Sequence, residues 1–157
     1  MKVQLTLVDE AATTTCGRRL GAMLRGGDCV GLIGTLGSGK TTLCRGIGEG
    51  LECVPALRSP TYLLCHEAQG RHPVLHLDAY FEARMEGLLE DGLAARFDRE
   101  HVLLVEWADQ LCAWWPKDRL ELHLEGTAEG GRRLTLEATG PRSQEILSAF
   151  EKEACGA

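Results

Sequence analysis

The feature that most constrains this chain is a glycine-rich segment, Gly34-Thr35-Leu36-Gly37-Ser38-Gly39-Lys40-Thr41, which fits the pattern G-x-x-x-x-G-K-[ST]. An apolar run over residues 29–33 precedes it and is short enough to be a buried strand. Residues 42–51 follow it and can carry a helix despite their glycines. A strand, a glycine-rich loop and a helix in this order predict a phosphate-binding loop; the alternative is a glycine-rich turn that matches by accident.

The residue types of the loop explain how it would bind phosphate. Glycines let the backbone turn several N–H groups toward one concavity, and the following helix adds the positive end of its dipole. Lys40 is expected to reach the β- and γ-phosphates, and the Thr41 hydroxyl is expected to bind Mg²⁺. The residues predicted to contact the nucleotide here are Gly34, Thr35, Leu36, Gly37, Ser38, Gly39, Lys40, Thr41 and Thr42.

Length and composition limit the remaining possibilities. The 157 residues predict one domain, spanning 1–157, that is large enough to bury a core. The net charge of −6 argues against a wide basic surface that grips nucleic acid unaided. The seven cysteines form no C-x-x-C pair and are odd in number, so we predict neither a zinc knuckle nor a disulfide framework. Because the chain shows no signal peptide and no membrane-length apolar run, we expect a cytoplasmic protein without membrane contact.

Hydrophobic periodicity predicts the elements around the loop. Residues 2–8 alternate like a half-buried strand, and Asp9 can cap the helix that follows. The other predicted elements are a helix over 10–25, an antiparallel hairpin of 62–67 and 74–78, a helix over 82–97, a buried strand over 101–107, a hairpin of 119–125 and 132–138, and a helix over 143–153 that frays beyond Phe150. Together they predict an α/β fold, a three-layer P-loop NTPase-like arrangement with a mixed parallel and antiparallel sheet.

Two acids stand where a nucleotide site needs them. Asp78 ends one apolar run and Glu106 ends the strongest buried-strand signal in the chain. In open α/β sheets ligands bind at the carboxyl ends of strands, and phosphoryl chemistry needs an acid to hold Mg²⁺ and order water. Both acids are therefore candidates for Mg²⁺ binding and catalysis, and the plainer alternative is that each is a solvated strand end.

Two further residues have an open role. Thr61 follows Pro60 and could supply a second hydroxyl or sense the γ-phosphate, although Ser-Pro-Thr is equally a simple turn. Trp107 could stack on a base or a partner, but core packing explains an isolated tryptophan as well. The five histidines share no catalytic or metal-binding spacing, so we interpret them as structural.

The order of these motifs resembles that of the TsaE (YjeE) family over residues 5–125. The similarity rests on the loop, on Ser59-Pro-Thr-Tyr62, on His76-Leu-Asp-Ala-Tyr80, on Gly92-Leu93 and on Leu104-Val-Glu-Trp107. The resemblance implies an ATPase that supports N6-threonylcarbamoyladenosine formation at position 37 of tRNA. It implies ATP and Mg²⁺ as cofactors, the TsaB–TsaD complex as partner, and only indirect contact with tRNA.

The resemblance also implies roles for individual residues. Lys40 and Thr41 would bind phosphate and Mg²⁺, and Trp107 would be a functional neighbour. Thr61, Asp78 and Glu106 would form the Mg²⁺ and hydrolysis site, with Lys40, Asp78 and Glu106 as the catalytic set. From the residues, Glu106 is the stronger candidate for ordering water.

Two positions depart from the family pattern, and two other functions stay open. Thr35 stands where the family usually has Asp, and Phe81 stands where it usually has Arg, which Arg84 could replace. A P-loop small-molecule kinase is the first alternative function, although no arginine-rich lid is evident. A nucleotide-dependent switch without an enzymatic role is the second.

Overall fold

The structure, a computed structural model, describes residues 1–35, 37–57, 65–80, 82–108 and 115–156. Strands and helices alternate through most of these residues. The strands are β1 (Lys2–Leu7), β2 (Cys29–Gly34), β3 (Cys65–Gln69), β4 (Pro73–Asp78), β5 (Val102–Glu106), β6 (Leu120–Gly126) and β7 (Arg132–Ala138). The helices are α1 (Glu10–Met23), α2 (Lys40–Gly50), α3 (Glu82–Glu90) and α4 (Pro141–Gly156), with a 3-10 helix over Leu93–Arg96.

The seven described strands form one sheet in the order β1-β7-β6-β2-β5-β4-β3. The four central strands β6, β2, β5 and β4 run parallel, while β1, β7 and β3 pair antiparallel at the two sides. This arrangement confirms the predicted α/β fold with a mixed sheet. Because β2, β4 and β5 are parallel, their carboxyl ends meet at one edge, where the loop after β2 begins.

Helices cover the two faces of the sheet unequally. Helices α1, α2 and α4 contribute Leu20, Ile47 and Phe150, each fully buried, to the larger core cluster. Helix α3 contributes Met85 and Leu89 to a smaller cluster on the other face. The larger cluster therefore ties the helix that follows the glycine-rich loop to the centre of the domain.

Close backbone contact between α1 and α2 explains the glycines in the second helix. A Cβ atom on Gly17 would lie 2.6 Å from the carbonyl oxygen of Leu43, and one on Gly46 would lie 2.5 Å from that of Thr14. Side chains at these positions would force the helices apart, because both obstacles are backbone atoms. The glycines weaken α2 as an isolated helix but allow it to pack directly on α1.

Most element predictions are confirmed, and two are wrong. Asp9 caps α1 by accepting the N–H of Ala12 at 2.7 Å, and both predicted hairpins form, although residues 62–64 lie outside the described part. The predicted helix over 82–97 instead ends at Glu90, because Gly92 takes a φ of +118° that ends the helix before the 3-10 turn. The last helix continues to Gly156, so the predicted fraying beyond Phe150 is wrong.

The described cysteines are free thiols. Burial raises the pKa of Cys16 to about 11 and that of Cys29 to about 12, so both remain protonated at neutral pH. Cys112 lies outside the described residues. Among the helices that are described, none combines the length and the apolar character that a membrane span requires.

Candidate functional site

The glycine-rich loop joins β2 to α2 as predicted. Gly37 has a φ of +76° and Gly39 a φ of +100°, a left-handed conformation that glycine adopts without steric cost. Gly39 is also the N-cap of α2. The first N–H groups of a helix have no partner within it, so the start of α2 is suited to an anion. Leu36, which was also predicted to contact nucleotide, lies outside the described residues.

Lys40 is folded back over this loop rather than extended into solvent. Its ammonium donates hydrogen bonds to the carbonyl oxygens of Gly34 and Thr35, the second at 2.9 Å, and only 6% of the residue is exposed. The same ammonium lies 3.9 Å from the centroid of the Trp107 ring. The lysine is therefore held at the mouth of the loop, where it can also reach a phosphate bound there.

The two predicted acids are direct neighbours across the sheet. Asp78 and Glu106 occupy the same register position of the parallel pair β4–β5, and both are buried. One step further, Glu106 is in register with Leu32 of β2, two residues before the loop begins. The sheet thus brings Asp78, Glu106 and the loop to one edge.

Electrostatics at this edge favour a cation. Burial raises the pKa of Asp78, and the nearby charge of Glu106 raises it further, while the Tyr80 backbone N–H and the Lys40 ammonium act in the opposite direction. The Tyr80 N–H donates to Asp78 Oδ1 at 2.9 Å. Two acids placed side by side away from water can be stabilised by a divalent ion bound between them.

His76 lies between Glu106 and the helix that follows the loop. Its Nε2 is 2.8 Å from Glu106 Oε2 and 3.2 Å from Cys44 Sγ, and all three side chains are buried. Its Nδ1 has no hydrogen-bond partner among the described residues. Sequence reasoning treated the histidines as structural; the available signal was that His76 lies two residues before Asp78 and hence on the same face of β4.

Cysteine, histidine and glutamate are residue types that can bind a transition metal. In the Cys44–His76–Glu106 cluster their donor atoms also lie within 4.8 Å of one another. Histidines that bind metals usually donate their second ring nitrogen to a carboxylate or carbonyl. The orphaned Nδ1 of His76 lacks that support. The cluster is therefore better described as a hydrogen-bonded group that contacts Glu106 than as a metal centre.

A second set of possible metal ligands, Glu121, His123 and Glu137, lies on the outer strands. The Arg119 guanidinium is 2.8 Å from Glu121, and the Lys2 ammonium is 3.3 Å from Glu137. Since both carboxylates are already paired with cations, this set does not indicate a second metal site.

Trp107 follows Glu106 in an unusual backbone conformation. Its φ of +57° lies in the left-handed region, which costs a non-glycine residue roughly 1–2 kcal/mol. The ring packs edge-on against Tyr80, with 5.0 Å between the ring centroids. Its half-buried indole packs against the smaller core cluster, as the core-packing alternative expects, and also faces Lys40.

Clefts flank the loop on both sides. One, of about 310 Å³, lies between the start of α1 and the loop and includes Glu10, Thr13, Gly39 and Thr42 in its lining. The other, of about 360 Å³, includes Thr35, Trp107 and His123. Both clefts adjoin the loop, one beside Thr42 and the other beside Trp107.

Arg132 joins the first cleft to the loop and was missed by sequence reasoning. It is the first residue of β7, and its guanidinium donates to the carbonyl oxygens of Gly37 and Gly131, both at 3.0 Å. The partner on the loop is 95 positions away in sequence. No motif around Arg132 signals this contact.

The structure thus gathers most of the predicted site residues. Lys40, Asp78, Glu106 and Trp107 converge at one edge of the sheet. Thr41 is exposed at the start of α2 and Thr42 is partly buried beside it. Thr61 and Phe81 lie outside the described residues, and so does the side chain of Arg84.

The fold and this site define a P-loop α/β protein with paired acids at the strand ends. A family model described as "Threonylcarbamoyl adenosine biosynthesis protein TsaE" matches residues 7–134. The protein named tRNA threonylcarbamoyladenosine biosynthesis protein TsaE in Streptomyces coelicolor is 40% identical over 136 residues, covering 80% of this chain and 90% of that protein. The protein of the same name in Bacillus subtilis is 35% identical over 147 residues, covering 92% and 91%.

A solved structure agrees with these matches. The crystal structure of YdiB from Bacillus subtilis superposes with a TM-score of 0.82 at 28% identity, covering 98% of this chain and 97% of YdiB. The chain belongs to the TsaE family. This confirms the resemblance that the loop, the His-x-Asp-x-Tyr segment and the Val-Glu-Trp segment indicated.

Proposed function

We propose that this protein binds ATP with Mg²⁺ and hydrolyses it slowly, in support of N6-threonylcarbamoyladenosine formation in tRNA. The observation that carries the proposal is the register pair of Asp78 and Glu106 at the strand ends beside Lys40. Membership of a family named for this biosynthesis supports the link to tRNA modification.

The loop supplies the phosphate-binding part of the site. Backbone N–H groups from Gly37 to Thr42 hold the phosphate oxygens, and the start of α2 adds its dipole. Lys40 exchanges its bonds to loop carbonyls for bonds to the β- and γ-phosphates. The Trp107 ring faces the Lys40 ammonium and stabilises its positive charge beside the loop.

The donor set near the loop fits Mg²⁺, which prefers oxygen ligands. Thr41, Asp78 and Glu106 would hold the ion, with Thr61 added on the strength of the family resemblance. Burial raises the pKa of Asp78, so its carboxylate lacks hydration that a bound cation would replace. Bound Mg²⁺ would supply positive charge that offsets the charge on the phosphate oxygens.

Glu106 has the catalytic role in this proposal. Its carboxylate accepts a hydrogen bond from a water molecule and orients the water oxygen toward the γ-phosphorus. The new phosphorus–oxygen bond forms as the bond from the γ-phosphorus to the bridging oxygen breaks, and ADP and phosphate leave. The proton lost by the water ends on the phosphate product or in solvent. Asp78, which lies beside Glu106, would help to bind the ion and keep it in position.

The wider role rests on family membership. We propose that the protein acts in the cytoplasm with a TsaB–TsaD-type complex, and that its nucleotide cycle supports turnover of that complex. Contact with tRNA is indirect in this scheme. The net charge of −6 is consistent with a protein that does not grip RNA by itself.

ATP hydrolysis measured with and without the purified partner complex, together with nucleoside analysis of the tRNA, tests this proposal. We expect stimulation by the complex, modified tRNA, and loss of both with Lys40→Ala. Lys152→Ala, at an exposed position of α4, is the matched control and should behave as the unmodified protein. No stimulation and no modification would overturn the proposal.

The same assay separates the alternative functions. A Glu106→Gln variant that still supports full tRNA modification without hydrolysis would indicate a nucleotide-dependent switch. Transfer of labelled phosphate to a small acceptor in place of water would indicate a kinase.

A further inference from the structure

The position of His76 carries an inference about how Glu106 is oriented, which rests on the proposed hydrolysis. His76 lies on β4, is fully buried, and places Nε2 2.8 Å from Glu106 Oε2. Neither residue is near the surface, since Glu106 is 3% exposed. A hydrogen bond between two buried groups is geometrically defined and shielded from competing water.

The unpartnered Nδ1 identifies the tautomer. If Nδ1 carried the proton, a buried donor would lack an acceptor among the described residues, and the Nε2 lone pair would face a carboxylate oxygen. If Nε2 carries the proton, it donates to Glu106 Oε2 and only a lone pair remains unpaired at Nδ1. The second arrangement avoids both penalties, so the geometry favours Nε2–H as the donor to Glu106 Oε2.

The imidazole also connects Glu106 to the nucleotide-binding helix. Cys44 Sγ lies 3.2 Å from the same Nε2, and Cys44 is one helical turn after Lys40 on α2. Cys44 on α2 contacts His76, and His76 contacts Glu106. These two contacts fix the position of the Glu106 carboxylate relative to the loop. The bond engages Oε2 and leaves Oε1 to meet water or the ion.

We propose that His76 is a positioning residue that holds the Glu106 carboxylate in the orientation needed for hydrolysis. Because His76 is fully buried, we expect it to make no contact with ATP, to affect turnover and to leave nucleotide affinity unchanged. Loss of a group that orients a catalytic or metal-binding side chain commonly costs about 10–100-fold in activity.

Two amide substitutions test this role with uncharged side chains that can donate a hydrogen bond. The amide nitrogen of His76→Gln can reach the place of Nε2, whereas that of His76→Asn reaches only the place of Nδ1. We expect His76→Asn to lower kcat by about 10–100-fold with the Kd for ATP within about twofold, and His76→Gln to recover most of the loss. Equal activity of the two variants, or an effect on Kd alone, would overturn the proposal.

A double substitution provides a second readout that a purely structural residue would not move. If His76 acts only through Glu106, the kcat of His76→Asn combined with Glu106→Gln should equal that of Glu106→Gln alone. Multiplicative losses would contradict the proposal. Thermal unfolding of each variant, measured in parallel, establishes that folded proteins are compared.

The tautomer itself can be read from the unmodified protein, independently of any variant's folding. ¹⁵N spectra of histidine-labelled protein should show His76 protonated at Nε2 and bare at Nδ1, and Glu106→Gln should shift the Nε2 signal. Protonation at Nδ1 alone would overturn the inference. If the unmodified protein does not hydrolyse ATP, or if Glu106→Gln hydrolyses it normally, the hydrolysis proposal fails instead.

Discussion

The ammonium of Lys40 and the ring of Trp107 form a cation–π contact, with the nitrogen 3.9 Å from the ring centroid. The two residues come from different strand ends, since Lys40 begins the helix after β2 and Trp107 directly follows β5. The contact therefore links the phosphate-binding loop to the strand that carries Glu106. Such contacts are worth roughly 0.5–2 kcal/mol, depending on their exposure to water.

This contact predicts a fluorescence response to nucleotide. When Lys40 turns toward bound phosphates, the charge over the indole changes, so Trp107 emission should change and saturate with ATP. The protein contains three tryptophans, and the Trp107→Phe variant identifies the share that comes from this one. An identical ATP-dependent change in Trp107→Phe would show that the signal arises elsewhere.

Asp78 is predicted to affect stability and activity in opposite directions. Its pKa is raised in the folded protein, chiefly by burial, so at neutral pH its ionised form opposes folding. Asp78→Asn removes that charge, and an amide oxygen can still accept the Tyr80 N–H. In the absence of Mg²⁺ and ATP, the Asp78→Asn variant should be more stable than the unmodified protein at pH 7. When Mg²⁺ and ATP are supplied, it should hydrolyse ATP at least about tenfold more slowly than the unmodified protein.

The pH dependence follows from the direction of that shift. An acid whose pKa is raised by folding costs no stability while it stays protonated in both states. The cost in stability appears as the pH rises through the pKa of the acid in the unfolded protein, near 3.9. It is complete once the pH exceeds the pKa of the acid in the folded protein. The stability gain of Asp78→Asn, measured by urea unfolding between pH 3 and 8, should shrink toward acid pH. A gain that grows as pH falls would contradict this account.

Arg132 is predicted to support nucleotide binding by holding the loop. Removal of its hydrogen bond to the Gly37 carbonyl costs about 1 kcal/mol, so Arg132→Ala should weaken ATP binding by about 5–10-fold in a calorimetric titration. Arg133→Ala is the matched control, because Arg133 is exposed and contacts only the exposed Glu125, at 3.7 Å, among the ion pairs of the described residues. Equal affinities of the two variants would show that the loop does not depend on Arg132.

The glycine contact between α1 and α2 predicts a sharp difference between two alanine substitutions. Gly17→Ala would bring a Cβ atom within 2.6 Å of the Leu43 carbonyl and should lower the free energy of unfolding by about 1–3 kcal/mol. Gly87→Ala in α3 meets nothing within 4 Å among the described residues and should raise it by up to about 1 kcal/mol. Denaturant unfolding compares the two, and a stable Gly17→Ala variant would contradict the close packing.

Much of the fold could be predicted because local rules and topology agree. The loop pattern, Asp9 as a helix cap and the alternating strands each indicate their own element. In open α/β sheets ligands bind at the carboxyl ends of the strands. This generalisation is enough to expect Asp78 and Glu106 at one edge of a parallel sheet without any knowledge of strand order.

The parts that could not be predicted depend on contacts distant in sequence. Arg132 reaches Gly37 only because β7 and β2 lie on either side of β6, an order that the residues do not reveal. His76 gains its partner only once the register of β4 and β5 is known. The predicted helix over 82–97 is wrong because the helical spacing of apolar residues continues past Gly92, whereas the helical backbone conformation is interrupted there.

The central claim, that Glu106 directs water at bound ATP, is tested most directly by single-turnover hydrolysis with excess enzyme. Enzyme and Mg²⁺–ATP are set to saturate both the unmodified protein and Glu106→Gln, because the substitution also alters a proposed Mg²⁺ ligand. The account predicts that the hydrolysis rate of Glu106→Gln falls by about 100-fold or more. An unchanged rate in a folded, ATP-saturated Glu106→Gln protein would contradict it.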